Sequence, residues 1–245
     1  MANYPQLALN WALDVIFPSR CLKCGKFLAK SRGYICKKCM GLIPIKKGFE
    51  CIGCKRAVVL GKTCIICRKN ESIDQLLIIS DYKNELVVKM LKALKYRFIS
   101  EVAIPLSVIL RKHLHWLSVR KNFNVLAEEP IILPVPLHRR RLNWRGFNQA
   151  EIITKELCSI LACNFYTEVI ERTKDTKTQA DIEEKRKRLE NIKTAFRVTD
   201  AEIIKNRVVI LVDDICTSGA TLNECARVLK EAGARKVIGL VFARG

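Results

Sequence analysis

Several things are scarce or missing in this chain. No run of about 20 apolar residues occurs, which excludes an ordinary membrane-spanning helix. Acids are few: 24 Asp and Glu stand against 44 Lys and Arg, a net charge of +20. That imbalance disfavours cationic ligands and favours phosphates, nucleic acid or an acidic partner. No Gly-Lys-Ser/Thr follows the Thr-Ser-Gly-Ala-Thr run at 217–221, so that loop is not of the Walker type. There is no low-complexity linker, and beyond the cysteine pairs no internal repeat. Disorder is excluded too, because 49% of the 245 residues are apolar, enough for a packed core.

The first 20 residues lack a basic n-region, Asp14 breaks their apolar part, and no small-x-small cleavage site follows. They therefore do not read as a signal peptide. A cytoplasmic, reducing setting is expected, without membrane insertion. In such a setting clustered cysteines imply metal rather than disulfides.

Cysteine is abundant, 12 in all, and unevenly placed. Eight form four Cys-x-x-Cys pairs: Cys21/Cys24, Cys36/Cys39, Cys51/Cys54 and Cys64/Cys67. Two thiolates on one tight turn can face one ion, and two such turns complete a tetrahedral shell. Four pairs give two sites. The simplest grouping is sequential, Cys21, Cys24, Cys36 and Cys39 for one and Cys51, Cys54, Cys64 and Cys67 for the other. An interleaved cross-brace is also compatible with the spacing. Closed four-thiolate shells suit structural Zn²⁺ rather than catalytic Zn²⁺.

Hydrophobic periodicity divides the chain into three parts. Ala8, Trp11, Ala12, Val15 and Ile16 share one helical face, so 1–19 holds an amphipathic helix over 4–16. Residues 20–72 form the metal-stapled module, too small for a core of its own. Residues 73–245 alternate strands and helices, which implies an α/β domain with a mainly parallel sheet. Its strands are DQLLIISDY, IILPVP, EVIERT, RVVILVDD and KVIGLVFAR. Its helices include NELVVKMLKALKYRF, 101–119, 148–162, a charged segment at 182–193, and TLNECARVLKEAG with Gly233 as C-cap.

The strongest strand ends in Asp213 and Asp214 and runs into Thr217, Ser218, Gly219, Ala220 and Thr221 before a helix. Ligands in open α/β sheets bind beyond the carboxyl ends of strands. Amides and short hydroxyls at a helix start make an anion nest. Two carboxylates would repel a bare phosphate but accept well from the hydroxyl pair of a ribose. A sugar phosphate satisfies both features, with Mg²⁺ nearby.

Acidic pair followed by Thr-Ser-Gly-Ala-Thr resembles the 5-phosphoribosyl-1-pyrophosphate (PRPP) motif of type I phosphoribosyltransferases. In that family the acids meet the ribose hydroxyls and the loop holds the 5′-phosphate. The segments FPSRCLKCG, KYRF, LPVPLHRRRLNWRGFNQA, ERTKDTKTQ and RLENIKTAF, in that order along the chain, are similar to the ComF family of competence-associated proteins. That resemblance implies a zinc-ribbon region joined to a phosphoribosyltransferase domain, with a link to DNA uptake. It implies that Arg139, Arg140, Arg141 and Arg145 meet the pyrophosphate. It also implies that Thr178, Gln179, Arg188 and Asn191 belong to a cover over the site. Phe98 stands where the family has glycine, and ADIEEKRK replaces a Gly-Leu-Ser-like turn.

The expected chemistry is attack at ribose C1 with loss of pyrophosphate. Asp213 and Asp214 would orient the sugar and stabilise developing positive charge; arginines and Mg²⁺ would neutralise the leaving group. No base-recognition hood or ammonia-supplying module is legible. The rival expectation is a protein that handles single-stranded DNA, alongside DNA-uptake machinery, or a PRPP-sensing regulator on the same fold. Tyr96, Phe98, Trp144 and Phe147 beside basic residues would then stack on bases; otherwise they belong to the core. His138 reads as a loop histidine, and neither His113 nor His115 as a ligand. Cys216 reads as an unreactive thiol.

Overall fold

The computed structural model of the chain describes residues 19–28, 34–97, 99–175, 192 and 194–245. The expected helix at 4–16, Phe98, and the segment containing Thr178, Gln179, Arg188 and Asn191 lie outside the described residues.

Four strands make a wholly parallel sheet: β1 (Gln75–Asp81), β2 (Ile131–Pro134), β5 (Val208–Cys216) and β6 (Lys236–Arg244), in spatial order β1-β6-β5-β2. A separate antiparallel pair joins β3 (Ile170–Arg172) to β4 (Phe196–Val198). A short helix α1 (Lys37–Gly41) lies in the cysteine region. The other described helices are α2 (Glu85–Tyr96), α3 (Ala103–Lys121), α4 (Arg139–Arg145), α5 (Gln149–Leu161) and α6 (Ala220–Glu231).

Local chemistry explains the boundaries. Asn84 caps α2, its Oδ1 accepting from the Leu86 and Val87 amides at 3.0 and 3.2 Å. Asn148 caps α5 in the same way and donates to the Val135 carbonyl at 3.0 Å, tying that helix to the end of β2. Gly233, at φ 101°, takes up the left-handed turn after α6. The arginine run, given no secondary structure from the sequence, is helical: His138 Nδ1 accepts from the Arg140 amide at 3.3 Å to start α4, and Gly146, at φ 78°, ends it.

Alternation along the central strands builds two cores. Val208, Ile210 and Val212 of β5 face one side, packing with Leu86, Met90 and Leu94 of α2, Leu106 and Leu110 of α3, and Leu157 of α5. Val209 and Leu211 face the other, with Leu222, Cys225, Ala226 and Leu229 of α6. Both faces of the parallel sheet are thus covered.

The cysteine region is welded to this body at both faces. Cys21, Ile35, Cys39 and Ile43 belong to the first core. Ile52 and Ile73 belong to the second. Between them the Lys46 amide donates to the Ile79 carbonyl, and Ser80 Oγ to the Pro44 carbonyl, both at 2.8 Å. Gly61 packs so tightly on β1 that a Cβ there would stand 2.1 Å from the Leu76 carbonyl oxygen.

Candidate functional site

The C-terminal ends of β5 and β2 open into a cavity of about 440 Å³. Its lining gathers residues far apart in sequence. Asp213 and Asp214 come from the end of β5, and residues 217–221 from the loop after it. Arg141, Arg145 and Gln149 come from α4 and the start of α5, Lys95 and Tyr96 from the last turn of α2, and Arg172 from the end of β3.

Asp214 is buried, and its Oδ2 pairs with Lys95 Nζ at 2.7 Å. Asp213 keeps partial access, and its Oδ1 accepts from the Asp214 amide at 2.8 Å. Enclosure and the neighbouring Asp214 charge raise the Asp213 pKa to about 8, against the pull of Lys95. Burial works against the Lys95 ammonium, but the two carboxylates win and its pKa rises. The pair thus has one contacting cation, on Asp214, and Asp213 holds its proton up to about pH 8, so together they offer both acceptor and donor oxygens to hydroxyl groups.

The loop after it suits an anion. Gly219 is left-handed at φ 86° and caps α6 without any side-chain hydrogen bond. Among the described residues only Ser218 Oγ reaches these amides, accepting from that of Ala220 at 3.3 Å, which leaves the rest of the first turn available. The helix dipole adds positive potential at the same place.

Two of the four expected arginines, Arg141 and Arg145, line the cavity. Burial lowers the Arg145 pKa and Asp214 opposes the shift; its Nη1 donates to Gln149 Oε1. Arg139 and Arg140 are exposed and do not line the cavity, and Arg140 pairs with Asp175 at 3.1 Å. The helical turn explains this division, since 141 and 145 share a face that 139 and 140 do not. Lys95 and Arg172 went unnoticed as site residues. Both sit inside stretches, KYRF and ERTKDTKTQ, that carry the family resemblance, and only the fold brings them to the acid pair. Trp144 and Tyr96 border the cavity and are 64% and 60% exposed, so neither is a core aromatic; Phe147 packs against the first core. Cys216 is buried and pushed up to about 12 by that burial, an inert thiol.

The eight paired cysteines gather sequentially, not as a cross-brace: Cys21, Cys24, Cys36 and Cys39 in one cluster, Cys51, Cys54, Cys64 and Cys67 in the other. Within each, the sulfurs lie within 4.8 Å of one another. Cys24 and Cys36 sulfurs are 3.9 Å apart, and those of Cys54 and Cys64 3.8 Å. Four sulfurs at about 2.3 Å from one ion in a tetrahedron stand about 3.8 Å apart, so both clusters fit a metal of that size. The amides of Cys36 and Cys64 donate to Cys21 and Cys51 sulfurs, which favours thiolate.

A phosphoribosyl transferase domain is matched over residues 145–245. Competence protein F of Haemophilus influenzae is 30% identical over 223 residues, 82% of this chain and 93% of that protein. The chain belongs to the ComF family. The DNA utilization protein YhgH of Escherichia coli is 34% identical over 66% of this chain and 69% of its own length. Competence protein ComFC of Bacillus subtilis is 24% identical over 92% and 85%. Among solved structures, a purine phosphoribosyltransferase from Pyrococcus horikoshii aligns with a TM-score of 0.32 at 15% identity, covering 56% of this chain and 79% of that one. The ComF assignment agrees with the parallel sheet and the two cysteine clusters, and among the described residues no helix is long and apolar enough to cross a membrane.

Proposed function

We propose that this ComF protein binds PRPP and transfers its phosphoribosyl group to an acceptor, in the service of DNA uptake. One observation carries the reading: the Asp213–Asp214 pair, a helix start capped by a glycine and the guanidinium groups of Arg141, Arg145 and Arg172 share one cavity. Carboxylates accept from the ribose hydroxyls, residues 217–221 hold the 5′-phosphate, and the arginines hold pyrophosphate. The bond from C1 to pyrophosphate oxygen breaks and its electron pair leaves with pyrophosphate. The acceptor's lone pair forms the new bond to C1. The carboxylates stabilise the positive charge that develops between the two events. Mg²⁺, held with PRPP near the acids, would supply further charge neutralisation. Zinc in the two cysteine clusters is structural, since each four-thiolate shell is closed, and the free thiols suit a cytoplasmic setting.

The test is calorimetry with PRPP, with and without Mg²⁺. Wild type is expected to bind, and Asp213→Ala/Asp214→Ala to lose at least about a hundredfold in affinity, as two charge-assisted contacts are removed. No affinity in the wild type sinks the reading. A second reading, single-stranded DNA handling, is favoured by Trp144 and Tyr96 exposed at the mouth of a basic cavity. Binding that weakens steeply with salt, and further in Trp144→Ala, would support it; no binding at low salt removes it. A PRPP-sensing regulator would bind PRPP without turnover in the presence of candidate acceptors.

A further inference from the structure

The second cysteine cluster lies beneath the loop assigned above to the 5′-phosphate. Ile52, next to the ligand Cys51, is fully buried. A Cβ placed on Gly219 would stand 2.9 Å from Ile52 Cγ1 and 3.2 Å from its Cδ1. The isoleucine therefore fills the space directly under the loop glycine. Arg244, at the end of β6, grips the same turn. Its Nη1 donates to the Cys51 carbonyl at 3.0 Å and its Nη2 to the Ile52 carbonyl at 2.5 Å, while Glu50 pairs with it at 3.0 Å. On the far side, Asn223 Oδ1 in the first turn of α6 accepts from the Ser72 and Ile73 amides. The turn itself leaves no slack, because a Cβ on Gly53 would meet Cys67 Sγ at 2.8 Å.

We propose that the second cluster, when it holds its metal, is the floor of the phosphate loop. Ile52 and Arg244 are positioning residues, and metal occupancy at Cys51, Cys54, Cys64 and Cys67 sets the affinity for a phosphorylated ribose. The inference rests on the reading of residues 217–221 as the phosphate site. Its physical basis is preorganisation. Amides already aimed at the anion need no ordering when it arrives, whereas a loop without its floor must be ordered out of the binding energy. Without the ion nothing ties the turn at Cys51 and Cys54 to the one at Cys64 and Cys67, so the turn that carries Ile52 relaxes.

Two measurements on the full chain test this. The first is hydrogen exchange at residues 217–223, before and after chelation of the metal and in Ile52→Ala, with the β2 amides at 131–134 as internal reference. Faster exchange of the loop with β2 unchanged is expected. The second is calorimetry with PRPP and with ribose 5-phosphate. Ile52→Ala, with its metal content equal to wild type, should lose about tenfold or more in affinity for both, a loss of preorganisation rather than of contact. Ile52→Leu, which refills the space, should recover most of it. Arg244→Met serves in place of Ile52→Ala if that variant does not fold. Unchanged loop exchange in both the chelated protein and the variant overturns the proposal whatever PRPP does. Absent PRPP affinity in the wild type overturns the functional reading instead, and the exchange measurement still decides the coupling.

Discussion

The two cysteine clusters have the same ligand set, two Cys-x-x-Cys pairs each, with eleven residues between the pairs in the first and nine in the second, yet they sit on opposite faces of one sheet. The first packs Cys21 and Cys39 into the core made with α2, α3 and α5. The second sends Ile52 into the core made with α6 and the loop that opens it. Their electrostatics are alike at the first ligand of each, where burial opposes the thiolate but backbone amides lower both Cys21 and Cys51, and differ at Cys54. Burial works against the Cys21 thiolate, but the amides of Cys24, Cys36 and Lys23 bring its pKa down to about 6. Cys54 reaches about 6 chiefly through a side chain, Arg56, whose Nε lies 3.4 Å from its sulfur. Identical motifs therefore have different consequences. A metal ligand set fixes only its own local turn, and whatever that turn touches decides what the metal controls.

The largest effect expected from breaking the symmetry is a paired cysteine replacement. Cys21→Ser/Cys24→Ser and Cys51→Ser/Cys54→Ser should each remove one metal per chain by metal analysis. A structural zinc contributes on the order of 10 kcal/mol of binding free energy, so both variants lose stability. They should differ in PRPP affinity, with the second falling more than about tenfold below the first. Equal affinities would mean that the two clusters are equivalent staples.

A smaller effect isolates the second face without touching a ligand. Arg244 is almost fully buried, and its partners are Glu50 and two carbonyls. Arg244→Met takes the charged donor from the Cys51 and Ile52 carbonyls, while Glu50 keeps Lys46 at 2.7 Å, and should cost about 3–6 kcal/mol in urea unfolding, about 1.5–3 for each hydrogen bond lost. Wild-type stability in that variant would show that the β6 end does not brace the cysteine turn.

Much of this was legible in the sequence, for stated reasons. Thiolate turns are local, so the eight ligands could be read from spacing alone, but not their grouping, which depends on how two turns meet in space. β5 was legible because its residues are buried on both sides, giving a continuous apolar run that ends in the acids. The helical turn at 139–145 was not, because it contains no residue buried enough to mark a period and its cap is a histidine. Lys95 was hidden for another reason. It stands on the polar side of an amphipathic helix, where an unpaired lysine is the ordinary case. Only the placement of the end of α2 against the end of β5 makes it the partner of Asp214. Ile52 is similar: an isoleucine between two metal ligands has no pattern to betray that it supports a loop some 170 residues away.

The smallest of these effects probes the first face, through protonation rather than metal. His113 of α3 is buried, 1% exposed, with its ring centroid 5.6 Å from that of Trp116, which in turn stacks on Phe49 at 6.1 Å. Burial lowers its pKa from 6.5 to about 4. The folded state thus holds a neutral imidazole, while the unfolded chain takes up a proton as soon as the pH falls below about 6.5. Stability from this group is complete above that value, falls progressively as the pH drops towards about 4, and loses nothing more below it. The total is roughly 3 kcal/mol. His113→Leu should remove this part of the acid sensitivity, seen as a flatter dependence of urea unfolding on pH between 6.5 and 4. If the coupling between clusters and loop is confined to the second face, acidification to pH 5 should weaken the packing around Trp116 in the wild type while hydrogen exchange at residues 217–223 stays as it was. Loop exchange that rises with the loss at His113 would mean that the two faces of the sheet respond as one unit, and the contrast between the two clusters would then be one of degree.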